Sequence, residues 1–242
     1  MSIRTFAVLA LVAASGVASA QTLSTVGPAS IGGGTFGDRA TNYSWDDGVS
    51  ENSVGLTSGG VLAAIHFFPV TAGDNVITSV DVTWGTALFA GQNGVVPGTP
   101  INYYVWANVG VNTDPTGANS QLLFAGADVI AAASTDTDIF QSLAVPNIPI
   151  GTTSFFVGVS VAHAAGQFPI GVDTTAPTFG PVSWAGGGAA FNPANVGFGA
   201  GGAIDIATAG LGNWMLRANA VPAPASLALI GLGGLVVGRR RR

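Results

Sequence analysis

The chain contains no cysteine and no lysine, and only 8% of its 242 residues are charged. Without cysteine, neither a disulfide bond nor thiol chemistry can contribute to the folded protein. Between the two ends of the chain, all twelve acidic residues are balanced only by Arg39 and Arg217, which gives this region a net charge of −10. Because nucleic-acid binding depends on Lys and Arg at the phosphates, this acidity excludes nucleic acid as a partner.

Helical periodicity is also missing between the two ends, whereas strand-like alternation and turn residues are frequent. Apolar and polar side chains alternate most clearly in Val76–Trp84, Ile101–Val111, Phe155–Val161 and Asn213–Asn219. Weaker strand candidates are Leu62–Phe68, Gln121–Ile130, Ile139–Val145, Phe168–Val172 and Val182–Ala185. About eight to ten short strands predict an all-β fold, an antiparallel β-sandwich of jelly-roll-like topology. We expect one buried face on each clear strand, and a long surface loop in the glycine-rich segment 186–202.

The N-terminus has the layout of a secretory signal. Arg4 precedes the apolar stretch Phe6–Val12, and the small residues Ala18-Ser19-Ala20 follow. This pattern predicts a signal peptide over residues 1–20, removed by signal peptidase so that Gln21 begins the mature chain. The body is therefore expected outside the cytoplasm.

The C-terminus has three parts: a proline-containing motif, an apolar segment and a basic cluster. The motif is Val221, Pro222, Ala223 and Pro224; the apolar segment includes Leu227, Ile230, Leu232, Leu235 and Val237; the cluster is Arg239, Arg240, Arg241 and Arg242. As a helix, residues 221–238 come close to spanning a ~30 Å hydrocarbon core. The arginines are expected to stay cytoplasmic, so the segment predicts a membrane anchor with the body outside.

This tail resembles the PEP-CTERM sorting signal of exported bacterial proteins, which implies recognition by an exosortase-type membrane protease. Ala223 stands where that family usually has glutamate. The body resembles exported PEP-CTERM proteins of planctomycete-like bacteria, whose bodies have no assigned function. The motifs that carry this likeness are Tyr43–Gly48 with Glu51-Asn52, Phe67–Val70, Phe155–Val159, Asp173–Pro177 and Gly212–Ala218. The resemblance implies an exported β-sandwich over 21–219, followed by the sorting signal and anchor over 220–242, and it brings no catalytic residues.

Two groups of carboxylates and two histidines are the candidates for chemistry. His66 and His163 lie outside the spacings typical of metal ligands, so structural roles are favoured. Asp46-Asp47 with Glu51, and Asp136 with Asp138, could serve a glycoside hydrolase or hold calcium, but turn carboxylates usually cap their own backbone. We therefore expect no catalytic residue, no metal and no cofactor, with calcium as the alternative.

Tyr104 and Trp106 provide the sharpest binding hypothesis. They occupy the otherwise polar face of Ile101–Val111, about 6.5–7 Å apart, where an exposed pair could stack against sugars. The alternative is that this face packs against the second sheet or a loop. The sequence thus predicts an exported, membrane-tethered, non-catalytic structural protein of the cell envelope or its matrix. A module that binds envelope polysaccharide is the second hypothesis, and a secreted glycoside hydrolase is the least favoured.

Overall fold

Short β-strands dominate the computed structural model, which describes residues 23–26, 41–71, 73–85, 95–175 and 180–223. Within these ranges, fourteen strands and two single-turn 3-10 segments, 117–119 and 132–134, are formed. The strands are β1 (Leu23–Val26), β2 (Thr41–Tyr43), β3 (Asn52–Leu56), β4 (Gly59–Pro69), β5 (Val76–Val82), β6 (Pro100–Asn108), β7 (Ser120–Val129), β8 (Gln141–Pro149), β9 (Ser154–Ala164), β10 (Ile170–Asp173), β11 (Ser183–Gly188), β12 (Ile204–Asp205), β13 (Asn213–Trp214) and β14 (Leu216–Val221).

The strands are arranged in three sheets. A six-stranded sheet has the order β12-β11-β4-β9-β6-β7, and two four-stranded sheets have the orders β1-β3-β10-β13 and β2-β14-β5-β8. All the pairings between these strands are antiparallel. The prediction of an all-β, antiparallel fold is therefore confirmed.

One hydrophobic core joins the three sheets. Val157 of β9, Val105 of β6, Val80 of β5, Leu216 of β14 and Val172 of β10 all belong to the same buried cluster. Each buried aliphatic side chain of this size contributes roughly 1.5–3 kcal/mol through removal from water. The alternation read from the sequence identifies this inward face correctly, because side chains in a strand alternate with a period of two.

The expectation of a single buried face is wrong for all four clear strands, because β5, β6, β9 and β14 are buried on both faces. In β9, the residues from Ser154 to Val161 are all buried, and Phe156 on the outward face is as inaccessible as Phe155 on the inward face. The reason is a second buried cluster on the outer surface of the six-stranded sheet, formed by Ile65, Tyr104, Trp106, Phe156, Trp184 and Val196.

The glycine-rich segment 186–202 is a surface loop only in part, because its first three residues belong to β11. Residues 189–203, which we call the covering segment, lie over the outer cluster. Gly186 to Gly188 form the end of β11, and Phe191 packs against the outer cluster beyond them. The main chain of Gly187 donates to Gly197 O at 2.9 Å and accepts from Gly199 N at 2.7 Å. Because no side chains intervene, the returning segment lies directly against the sheet.

The expectations for the two ends fall largely outside the described residues. These are the signal peptide over 1–20 with its cleavage site at Ala18, Ala20 and Gln21, and the tail from Pro224 through Arg242 with its apolar helix. Val221 ends β14, and Pro222 and Ala223 follow it. The part of the chain that the structure describes contains no helix of the length and apolarity needed to cross a membrane.

Candidate functional site

A tight turn after β2 positions the first group of predicted carboxylates. Asp46 Oδ1 accepts a hydrogen bond from Gly48 N at 3.0 Å, and Asp47 Oδ1 accepts one from Val49 N at 2.9 Å. Both are Asx turns, in which a short acidic side chain satisfies the main chain two residues further on. The turn thus forms from its own sequence and delivers Asp47 and Glu51 to the end of β10.

Three carboxylates meet at this end of β10. Asp47, Glu51 and Asp173 each offer an oxygen within 4.8 Å of the others, with Asp47 exposed, Glu51 half-buried and Asp173 buried. Asp173 Oδ2 accepts from Asp47 N at 2.8 Å, which joins the turn to the end of β10. We call these three residues the acidic cluster.

The segment after β10 donates hydrogen bonds into the acidic cluster. Thr174 N lies 2.7 Å from Glu51 Oε2, and Thr175 Oγ1 lies 3.0 Å from Glu51 Oε1. Thr175 N also donates to Asp173 Oδ1 at 2.9 Å. Both carboxylate oxygens of Glu51 and both of Asp173 therefore accept main-chain or hydroxyl protons, so their negative charge is partly compensated by the protein itself.

Burial and mutual repulsion both disfavour ionisation here. Burial is the main cause that raises the pKa of Glu51, the charge of Asp173 adds to it, and the bonds from Thr174 and Thr175 oppose it. The pKa of Asp138 is also raised, chiefly by burial and further by the charge of Asp47. Glu51 and Asp138 therefore take up a proton more readily than free carboxyl groups do.

Asp138 belongs to the second predicted group, and it adjoins the first. Its Oδ1 accepts from Ser50 N at 2.9 Å, while its Oδ2 is buried and accepts no hydrogen bond within the described residues. Asp136 has a different role, because its main chain has a φ of 51° and donates to Trp84 O. The structure therefore brings Asp138, but not the pair, to the loop of Asp47 and Glu51.

Asp46 is taken out of any exposed site by an ion pair. Its side chain is fully buried, and the guanidinium of Arg217 on β14 donates to both carboxylate oxygens. A carboxylate enclosed in this way cannot reach a substrate. Asp46 therefore supports the fold, and the hydrolase hypothesis loses one residue of its first carboxylate group.

The two histidines form hydrogen bonds inside the fold. His66 Nδ1 lies 2.7 Å from Leu216 O, so this nitrogen carries the proton, and Nε2 accepts from Ser183 Oγ at 2.6 Å. Full burial lowers the pKa of His66 to about 4, which keeps the ring neutral at pH 7. His163 Nε2 accepts from Leu56 N at 3.1 Å, and burial lowers its pKa too. Both side chains link strands, as expected of structural histidines.

The predicted sugar-stacking pair is buried, so that binding hypothesis is wrong as stated. Tyr104 is 5% exposed and Trp106 is 0% exposed. Trp106 Nε1 donates to Pro193 O at 2.7 Å, and the ring of Phe191 contacts that of Tyr104 at 5.6 Å between centroids. The covering segment 189–203 occupies the surface that a sugar would need. The alternative, packing of this face against a loop, is the one that the structure has.

Motifs that are far apart in sequence converge around the acidic cluster. Asn213 Nδ2 donates to Trp45 O at 3.2 Å, and Trp45 Nε1 donates to Phe67 O at 2.8 Å. Asp173 and Thr175 come from the Asp173–Pro177 motif, whose only indication in the sequence is its likeness to other exported proteins. Nothing in one sequence indicates that this motif meets Glu51, since the contact depends on strand pairing.

Comparisons with known proteins characterise the tail and the fold. Residues 220–242 match the PEP-CTERM protein-sorting motif. A comparison with curated proteins found no match. The body is similar to the crystal structure of the cysteine protease and lectin-like domains of Cwp84, a surface layer associated protein of Clostridium difficile, with a TM-score of 0.50 and 11% identity. That match covers 76% of this chain and 36% of the other, so the chain spans about a third of that protein, and at this identity the likeness shows the fold alone.

The fold and the tail together define an exported, all-β protein with a C-terminal sorting motif. The motif is that of PEP-CTERM proteins, which implies sorting by an exosortase-type membrane protease and transient anchoring through the C-terminal region. The function of the body is not assigned by the motif.

Proposed function

We propose that this chain is a non-catalytic structural component of the cell envelope or its matrix, delivered there by its sorting tail. The observation that carries the proposal is the PEP-CTERM motif at residues 220–242. The body is a β-sandwich, for which we retain the jelly-roll-like topology predicted from the sequence. Signal peptidase at Ala20–Gln21 and an exosortase-type protease at the tail are the processing partners in this scheme.

The state of the candidate side chains supports a non-catalytic role. Asp46 is enclosed in an ion pair, His66 is fully buried, and Trp106 is covered by the 189–203 segment. In the acidic cluster, Glu51 and Asp173 already accept hydrogen bonds from residues 174 and 175. These hydrogen bonds join the loop before β3 to the end of β10, and they occupy the carboxylate oxygens that a hydrolase would need free.

Processing of the tail is tested on the exported protein. Intact-mass measurement of the full chain expressed in a host with an exosortase should show loss of residues 1–20 and of Arg239–Arg242. Replacing Pro222 and Pro224 by alanine should block the second cleavage while leaving the first unchanged. Retention of Arg239–Arg242 in wild-type exported protein would contradict exosortase processing and leave a plain membrane anchor.

The proposal includes no cofactor, and calcium is the alternative to exclude. The oxygen ligands of the acidic cluster are of the type that Ca²⁺ prefers, although the Thr174 and Thr175 donors already use two of them at Glu51. We expect the unfolding temperature to be the same in millimolar calcium and in EDTA. A calcium-dependent rise that is lost in Glu51→Gln would instead assign a cation to the cluster.

Binding of an envelope polysaccharide is the second candidate function. Its support is the similarity of fold to a structure that includes lectin-like domains of a surface layer associated protein. Because the Tyr104 hydroxyl bonds to Ser160 Oγ beneath the covering segment, we expect Tyr104→Phe to leave any retention on polysaccharide unchanged. Failure of the full chain to be retained on isolated envelope polysaccharide would remove this candidate.

A further inference from the structure

The sorting tail leaves the body at one end of the sandwich, where β14 finishes. Val221, the last residue of β14, pairs with Val76 at the start of β5, and Val76 pairs with Pro149 at the end of β8. Beside this row, the main chain of Ile150 donates to Asn75 O at 2.7 Å. The chain exit therefore lies next to the segments that precede β5 and follow β8.

The six-stranded sheet finishes at the same end. Its strands β4 and β9 connect there to β5 and β8, and Val70 N donates to Thr153 O at 2.9 Å between the two connections. Strand β6 ends beside the start of β9, where Asn108 Nδ2 donates to Ser154 Oγ at 3.0 Å. The turn from β6 to β7 is therefore at this end too. We call Val221 and the connections 70–75, 109–119 and 150–153 the exit end.

The turn from β6 to β7 displays two valines to solvent on a hydrogen-bonded frame. Val109 N donates to Asn119 O at 2.9 Å, and Asn108 Nδ2 donates to Asn112 O at 2.8 Å across the turn. Within this frame Val109 is 50% exposed and Val111 is fully exposed. Because the main chain of the turn is already fixed, moving these side chains out of water requires little further ordering and is favourable.

The short connection to the tail keeps the exit end near the membrane once the apolar segment is inserted. Five residues, 222–226, separate Val221 from Leu227, where the apolar segment begins. Five residues span at most about 18 Å, and the headgroup region on one side of a bilayer takes up about 6 Å of this reach. The exit end therefore stays within about 12 Å of the headgroups.

Charge also distinguishes the exit end from the opposite end of the sandwich. The exit end contains two carboxylates, Asp74 and Asp114, and both residues are half-buried. At the opposite end Val96 and Val129 are exposed as well, but Val129, which closes the edge strand β7, follows the exposed Asp128. Anionic lipids repel carboxylates, so the exit end is the better suited of the two to approach a bilayer.

We propose that the exit end docks on the lipid bilayer while the tail is inserted, with Val109 and Val111 entering the headgroup region beside the anchor. Apolar side chains are accepted at the boundary between headgroups and acyl chains. The exit end has no basic residue to add attraction, so the contact depends on the tail and is lost when the tail is cleaved. The inference thus rests on the proposed anchoring, and it adds a fixed orientation of the body above the membrane.

Fluorophores at single cysteines test which end meets the lipid. Because the chain has no cysteine, Val111→Cys and the matched control Val129→Cys carry one label each. The labelled full chain is reconstituted in phosphatidylcholine vesicles that contain a lipid with a nitroxide near the headgroup. The nine residues of β6 separate the two positions by about 30 Å, so we expect several-fold stronger quenching at residue 111 than at residue 129.

Two double-serine variants test whether the valines make the contact. Val109→Ser/Val111→Ser removes the apolar side chains of the turn, and Val96→Ser/Val129→Ser makes the same change at the opposite end. Both carry the label at Gly151→Cys, a position of the exit end where a Cβ would meet no atom within 4 Å. We expect quenching at residue 151 to fall about twofold or more in the first variant and to stay unchanged in the second. Circular dichroism checks that both remain folded.

Flotation of the vesicles separates the docking from the anchoring on which it rests. Full chain that fails to float with the vesicles overturns both. Full chain that floats but shows equal quenching at residues 111 and 129, or unchanged quenching at residue 151 in Val109→Ser/Val111→Ser, overturns the docking alone. A label at residue 111 that responds only after an exosortase is added to the vesicles also overturns the docking on lipid, and assigns the exit end to a protein partner.

Discussion

Arg217 on β14 binds Asp46, which lies 171 residues earlier in the chain. The guanidinium Nε is 3.0 Å from Oδ1 and 3.1 Å from Oδ2 of Asp46. The guanidinium carbon lies over the face of the Phe140 ring, 3.9 Å from the ring centroid. Arg217 is the only lysine or arginine within the described residues. One cation thus fixes the turn before β3 to the last strand, and with it the position of the acidic cluster.

Removing either member of this ion pair should be among the most destabilising polar changes. Arg217→Met leaves the buried Asp46 carboxylate without its partner, and we expect a loss of about 3–5 kcal/mol in the free energy of unfolding. Denaturant unfolding followed by tryptophan fluorescence measures this loss. The control is Asp128→Asn on the exposed edge, where we expect a change within about 0.5 kcal/mol.

The double variant Asp46→Leu/Arg217→Met tests whether the lost stability comes from leaving one buried charge without its partner. It removes both charges together, so we expect it to recover most of the stability lost by Arg217→Met alone. Additive losses in this cycle would show that Asp46 and Arg217 act independently, contrary to the geometry.

His66 should make the protein lose stability in mild acid. Its pKa is lowered to about 4 in the folded state from 6.5, so folding favours the neutral ring. The resulting stabilisation is present above pH 6.5 and is lost as the pH falls towards 4, at most about 3 kcal/mol. Unfolding free energies of wild type and His66→Asn between pH 7 and 4 test this. We expect the wild type to show the steeper decline, and parallel curves would contradict the assignment.

Glu51 should make the stability depend on pH in the opposite sense to His66, over an overlapping pH range. Its pKa is raised above 4.5 in the folded state, so its favourable contribution is present at low pH and is lost as the pH rises through the raised value. We therefore expect Glu51→Gln to gain stability relative to wild type between pH 4 and 7. Thermal unfolding of both proteins at each pH measures the difference, and a difference independent of pH would contradict this prediction.

Local alternation predicted most of the strands but could not predict what lies against them. The residues of β5, β6 and β9 alternate with a period of two, and each strand was located within a few residues. The single strand predicted over Asn213–Asn219 is instead divided into β13 and β14, which belong to different sheets. The burial of Tyr104 and Trp106 depends on the segment that contains Pro193, which is 87 residues from Trp106 and lies among many glycines. Such a segment has no apolar stripe to indicate that it covers a sheet.

The acidic cluster could be predicted only in part for the same reason. Asp46, Asp47 and Glu51 are neighbours in sequence, and their turn follows from local hydrogen bonds. Asp173 joins them across 126 residues through the pairing of β10 with β3. Strand order is not encoded in any local pattern, so no reading of a single sequence brings Thr174 and Thr175 to Glu51.

Gly187 should be the most sensitive position of the covered outer surface. Its φ is +123°, and a Cβ there would lie 1.9 Å from Val61 O on the neighbouring strand β4. Because the obstacle is main chain within a sheet, it cannot move aside as a flexible side chain could, and β11 must separate from β4. We expect Gly187→Ala to cost about 3 kcal/mol or more and to loosen the 189–203 segment over Trp106.

The matched control for this change is Gly151→Ala, where a Cβ would meet no atom within 4 Å and the backbone has no positive φ. We expect this variant to have wild-type stability or slightly more, because alanine restricts the unfolded chain. Denaturant unfolding compares the two variants. Because the chain has five tryptophans, the difference in acrylamide quenching between each variant and its Trp106→Phe derivative reports exposure of Trp106. Equal stability of the two alanine variants would show that β11 and β4 do not approach as closely as described. Unchanged quenching in Gly187→Ala would show that the 189–203 segment stays over Trp106 even when the sheet is destabilised.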